Sequence, residues 1–215
     1  RVQEAANRWR PDPGLFIRSM ASRGSLGGLA RATTDAIQVL DAAGFGTVIV
    51  ETVGAGQAEV DVARAVHTTV VLQVPGMGDD IQAIKAGILE IADILVVNKA
   101  DRDGADEMVA ALDAMLDLAP RTTETTWQHM TELGKAMLTV SPVAVAPRAH
   151  WRPPIIKTVA TRDEGVDGLM AAISRHVAFL QESGLWAACE QARLTDELCR
   201  RLGDAVLGRF TARMP

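Results

Sequence analysis

Tyrosine is absent from this 215-residue chain, and four tryptophans and four phenylalanines bring the aromatic share to only 4%. Antiparallel sandwiches and barrels lean on aromatic cross-strand pairs. A chain this poor in them, with Ala, Val, Ile and Leu dominating its 48% hydrophobic content, suits helices packed on a parallel sheet. The two cysteines, Cys189 and Cys199, have neither metal-ligand nor redox spacing, so two reduced, buried thiols in a cytosolic protein are expected. The four histidines, His67, His129, His150 and His176, are scattered and form no zinc motif. No serine or cysteine stands in a nucleophile motif. No apolar run approaches membrane-spanning length, and no secretory signal is seen, so no membrane partner is expected. A formal net charge of −5 argues against bulk nucleic-acid binding.

One absence matters more than these. Nowhere does the chain read G-x-x-x-x-G-K-[ST], the loop that wraps a β-phosphate in backbone amides. Its nearest approach, Glu132-Leu133-Gly134-Lys135-Ala136, lacks the first glycine and the hydroxyl.

What is present is an alternation. Residues 14–18 read as a short strand, and 29–43 as a helix closed by Gly44. A buried strand is expected over 45–51, centred on Val48-Ile49-Val50, followed by a short helix over 57–65. Strands are expected over 68–74, 93–97 and 155–160, and helices over 79–92, 105–118 and 165–179. Residues 120–154 are irregular and proline-rich. Gly184 breaks the chain before a long helix over 185–213, with Leu194, Leu198, Leu202 and Val206 spaced for burial. Strands alternating with helices imply βαβ units. The expected fold is therefore α/β, a mostly parallel sheet with helices on both faces, plus a C-terminal helical extension. The domain division is 1–181 for the core and 182–215 for the arm. Right-handed crossovers collect Gly28, Glu51, Gly76 and Asn98 on one sheet edge.

The run Ile94-Leu95-Val96-Val97-Asn98-Lys99-Ala100-Asp101 carries the chemistry. A carboxylate at Asp101 can accept from both the N1–H and N2–H of guanine, a donor pair adenine lacks. Asn98 can bond the N7 edge or brace the loop, and the stem of Lys99 can lie across the purine face. Open α/β sheets bind ligands just past such strands. Glu51 ends the Val48–Val50 run and could hold magnesium through a water. Gly54, three residues on, would admit an amide to a terminal phosphate, and Gln57 could orient a water. The segment Gly76-Met77-Gly78-Asp79-Asp80-Ile81-Gln82-Ala83-Ile84-Lys85 opens a helix with glycines. Backbone amides near Val159, Ala160 and Thr161 could donate to a guanine O6.

Taken in order, V-I-V-E-T-V-G-A-G-Q-A-E (48–59), V-P-G-M-G-D-D-I-Q-A-I-K-A-G-I-L-E-I-A-D (74–93), V-V-N-K-A-D (96–101) and S-R-G-S-L-G-G-L-A (22–30) form a set. The chain resembles the methylmalonyl-CoA mutase-associated GTPases, the ArgK/MeaB type within the SIMIBI class of P-loop GTPases. The resemblance implies a cytoplasmic, homodimeric GTPase chaperone. It would use GTP and Mg²⁺ while loading and protecting adenosylcobalamin in an acyl-CoA mutase. By the same resemblance Asn98, Lys99, Asp101, Val159, Ala160 and Thr161 take the base, with Val159 standing where a serine is common. Glu51, Gly54 and Gln57 belong to the hydrolytic element, and Gly76, Asp79, Gln82 and Lys85 to a segment that answers to the mutase. The phosphate-binding loop is expected upstream of Arg1, on the order of 60 residues away. Two other readings stay open. One is a metal-delivery GTPase of the same class, which would carry His- or Cys-rich stretches. The other is a nucleotide-free interaction module derived from a GTPase.

Overall fold

The protein is described by a computed structural model. The structure describes residues 14–20, 31–52, 63, 65–76, 91–118 and 151–211. The chain divides into two compact units, 1–62 and 63–215.

In the first unit, α1 (Arg31–Ala42) ends as its sequence suggests. Gly44 takes φ +87°, its N–H reaches Asp41 O, and the Phe45 N–H reaches Leu40 O. This is a Schellman closure, which needs a residue tolerant of the left-handed region at that point. The strand expected over 45–51 does not form: the segment has no ladder, and Ile49 is 88% exposed. Residues 14–18 likewise make no strand, and Leu15, Phe16 and Ile17 are exposed. A β-branched run becomes a strand only where a neighbour satisfies its backbone groups.

Among the described residues the second unit holds three parallel strands in the order β1 (Val70–Gln73), β2 (Ile94–Asn98), β3 (Ile155–Thr158). Val70 pairs with Ile94, and Leu95 with Ile155. The central strand is apolar from Ile94 to Val97 because both faces are covered. Its side chains alternate between two layers. Leu95 and Val97 pack with Ala105, Met108 and Leu112 of α2 (Ala105–Leu118). Ile94 and Val96 pack with Ala172 of α3 (Val166–Glu182). Asp106 and Glu107 lie in the first turn of α2, where the helix dipole favours acids. The expected parallel α/β sheet, covered on both faces, is thus the fold of this unit.

Gly184, at φ +74°, separates α3 from α4 (Leu185–Thr211). The spacing of Leu194, Leu198, Leu202 and Val206 suggested burial. They are 57–63% exposed. Helical periodicity shows that residues share a face, not that something covers it.

A polar cluster closes the N-terminal edge of the sheet. Asp93 accepts from the Thr69 N–H at 2.7 Å, and its own carbonyl accepts from the Trp151 indole at 2.8 Å. His176, almost fully buried on α3, sets Nε2 3.4 Å from the Asp93 carboxyl and Nδ1 2.9 Å from the Thr68 hydroxyl. From α4, His67 receives Glu190 as a hydrogen-bond partner and Trp186 as a stacked ring at 4.0 Å. The Cys189 thiol is pushed up to about 12, by burial first and then by the charges of Asp93 and Glu190. Cys189 is buried as expected, whereas Cys199, expected to be buried as well, is exposed on the long C-terminal helix.

Burial pushes the Asp93 carboxyl up to about 7 and the His176 imidazole down to about 4. Between these values the folded pair holds one proton. The unfolded pair also holds one, on the histidine. The proton counts match, so this pair contributes little pH dependence to stability over that window. Each single substitution uncovers the other member. With His176→Asn, the raised Asp93 remains; its contribution is intact below about pH 4 and is lost as pH rises towards 7. With Asp93→Asn, the lowered His176 remains; its contribution is intact above about pH 6.5 and is lost as pH falls towards 4. Urea unfolding at pH 5 and pH 7.5 is expected to give slopes of opposite sign for the two variants, of about 1–3 kcal/mol across the range. Parallel slopes would contradict the shared proton.

Candidate functional site

The opposite, C-terminal edge of the sheet is built around one carboxamide. The Asn98 Oδ1, at the end of β2, accepts from the Lys99 N–H at 2.8 Å, the Thr158 hydroxyl at 3.2 Å and the Ala160 N–H at 3.3 Å. The Ala100 N–H adds a bond to Thr158 O at 3.0 Å. Two loops, 60 residues apart in sequence, are thereby tied at the ends of adjacent strands. Lys99 takes φ +58°, which turns the chain sharply after the strand. The Arg102 N–H closes this turn on Lys99 O at 3.0 Å. Lys99 and Asp101 face solvent.

The second loop is as firmly set. Its short 3₁₀ turn, Ala160–Arg162, is bounded by Asp163 at φ +60°. Val159 and Glu164 exchange backbone hydrogen bonds of 2.9 and 3.3 Å, and the Arg162 N–H reaches Val159 O at 2.8 Å. Gly165, at φ +78°, approaches β3 so closely that a Cβ there would lie 2.1 Å from Lys157 O. No side chain fits that position.

The structure therefore brings together Asn98, Lys99, Asp101, Val159, Ala160 and Thr161, the residues the sequence singled out. Their duties differ. Val159 is buried and its N–H is engaged by Glu164, so it builds the loop rather than facing outward. Ala160 and Thr161 are exposed. Asn98 braces the loop through its oxygen, which leaves the Nδ2 amine as its remaining donor. Sequence reasoning missed Arg162 and Glu164. The Arg162 guanidinium lies 3.3 Å from the Asp101 carboxylate and 3.9 Å from that of Glu164. Local sequence holds no signal for a contact spanning 61 residues.

Gly76 follows β1 in a turn at φ +77°, on the same edge as Asn98. Asp79, Gln82, Lys85, Gly54 and Gln57 lie outside the described residues. Glu51 belongs to the first unit, in an exposed segment without regular structure. Among the described residues no group of three or more His, Cys, Asp or Glu side chains could hold a metal ion. One exposed carboxylate does not by itself compose a magnesium site. Among the described residues no helix is long and apolar enough to cross a membrane.

A parallel sheet with helices on both faces, carrying an Asn-Lys-x-Asp turn past its central strand, resembles the P-loop GTPase fold. The comparisons specify it further. The family model for the methylmalonyl-CoA mutase-associated GTPase MeaB matches residues 2–215, and the chain belongs to that family. A Pyrococcus abyssi protein with a GTPase name is 45% identical over 205 residues, covering 95% of this chain and 56% of that protein. GTPase ArgK of Escherichia coli is 32% identical, covering 92% of this chain and 53% of its own. A crystal structure of an LAO/AO transport system kinase superposes with a TM-score of 0.56 at 28% identity, over 84% of this chain and 50% of that one. The chain thus spans about half the length of the relatives it matches.

Replacing Asn98 by alanine removes one acceptor from three donors. Two of these are backbone amides open to solvent, and the expected loss of stability is about 0.5–1.5 kcal/mol. Amide exchange at Lys99 and Ala160 should accelerate together. Acceleration at only one would mean that the two loops are not tied through this oxygen.

Proposed function

We propose that this chain carries the base-recognising part of a GTP-hydrolysing chaperone. Its client would be an adenosylcobalamin-dependent acyl-CoA mutase, methylmalonyl-CoA mutase or a relative. The observation that supports this best is the Asn98 tie, which fixes the turn bearing Asp101 against the Ala160 turn. A carboxylate held at such a mouth matches the N1–H and N2–H of guanine. The exposed Lys99 stem can cover one ring face, and the Asn98 amine can reach N7. Ala160 and Thr161 line the other side of the opening.

Hydrolysis in such proteins is positioning plus charge stabilisation, with little covalent chemistry. Phosphate contacts would come from outside the described residues, and Glu51 would meet Mg²⁺ through a water only together with ligands supplied from there. Gly54 and Gln57 would sit at the terminal phosphate and its attacking water. The segment holding Gly76, Asp79, Gln82 and Lys85 would respond to nucleotide state and contact the mutase. A cytoplasmic location follows from the same family reading.

The base site is tested with GDP and ADP titrated separately by calorimetry. Asp101→Ala should lose the preference for GDP. Asp101→Asn should move the preference towards xanthosine diphosphate, whose base carries an acceptor where guanine carries the N2 amine. Unchanged GDP preference in Asp101→Ala would refute the site.

Residues 182–215 are the arm through which two copies would pair. The exposed stripe of Leu194, Leu198, Leu202 and Val206 supports this reading, because a continuous apolar stripe on a long helix gains by about 25 cal/mol per Å² when covered. Sedimentation should show a dimer for the parent chain and a monomer for Leu198→Glu/Leu202→Glu. A dimer in both would place the contact elsewhere.

A further inference from the structure

The contact between Arg162 and Asp101 has no part in the base-site reading as it stands, yet it occupies that site's central group. The Arg162 Nη2 lies 3.3 Å from Asp101 Oδ2. A guanidinium presents planar, adjacent N–H donors, the same chemical pattern as the N1–H and N2–H edge of guanine. Both cannot use one carboxylate in the same way. The other terminal nitrogen, Nη1, is 3.9 Å from Glu164 Oε1. Arg162 thus stands between two carboxylates, one on each loop. Its backbone is fixed by the Val159–Glu164 pairing and by its own bond to Val159 O, so the side chain can swing while its root stays in place.

We propose that Arg162 is a placeholder for guanine, which holds Asp101 in the empty site and passes to Glu164 when the base arrives. The inference rests on the base-site reading above. Glu164 takes the arginine as the base displaces it, so the exchange trades one exposed ion pair for another. Exposed pairs are individually weak, and the gate is correspondingly soft. It tunes affinity and entry by small factors and does not block the site.

The test is an NMR titration of this chain with GDP up to millimolar concentration, following the amides of Ala100, Ala160 and Glu164. Arg162→Ala should bind GDP about two- to fivefold more tightly than the parent, because the competitor is gone. Glu164→Gln should bind about two- to fivefold more weakly, because the arginine loses its second seat. In the double variant the Glu164→Gln effect should vanish. That non-additivity is the signature of a shared arginine, and a merely structural Glu164 would not give it. Raising salt from 50 mM to 500 mM should shrink the difference between parent and Arg162→Ala. Weaker or unchanged GDP binding in Arg162→Ala would overturn the placeholder, as would additive effects in the double variant. Asp101→Ala separates the two claims. If it loses GDP selectivity while Arg162→Ala fails as described, the base site stands and the placeholder falls. If it retains selectivity, or if the parent shows no GDP-dependent shift, both fall.

Discussion

One oxygen atom organises the end of the sheet that matters for function. The Asn98 Oδ1 accepts three donors from two loops, and two of those donors are backbone amides. Both amides are exposed, so the bonds add little net energy, but gathering the two on one side-chain oxygen fixes the two loops in one arrangement. Everything proposed for the site inherits its position from this tie. Asp101 stands three residues beyond Asn98, and Ala160, Thr161 and Arg162 follow from the partner loop. The left-handed turn at Lys99 is tolerated because the Lys99 N–H is itself one of the three donors.

The same strand bears its other polar cluster at the far end. Asp93 precedes β2 and Asn98 ends it, with four buried apolar residues between them. The division of labour is physical. At the N-terminal edge the carboxyl is buried, keeps its proton beside a neutral His176 and is walled in by Trp151 and Cys189. At the C-terminal edge the carboxylate of Asp101 is open to solvent and paired with a displaceable arginine. One acid serves the fold, and the other is available to a ligand.

Much of this was legible in sequence because it is local. The apolar run before Asn98 announced a buried strand, and the bounds of α2 match the amphipathic pattern that suggested them. Gly44, Gly76 and Gly184 all adopt positive φ at the breaks where they were expected to punctuate the chain. What was not legible depends on neighbours. Val48-Ile49-Val50 has the composition of a strand, but composition does not supply a ladder partner. The leucines of α4 have the spacing of a buried face, but spacing does not say what lies opposite. In the site, the residue types were readable and their mutual contacts were not. No local pattern predicts that Arg162 meets Asp101, or that the Asn98 oxygen serves Ala160.

Gly165 carries a consequence of a different kind. The loop from Val159 to Gly165 is framed by backbone hydrogen bonds and by one position that excludes every side chain. The frame therefore depends little on the letters at positions 160, 161, 162 and 164, while the left-handed backbone at Asp163 favours a small polar residue there. Sequence drift there can re-letter the lip of the opening while its outline persists. Shape and selectivity become separately heritable, and relatives can diverge in how they admit a ligand without first having to refold.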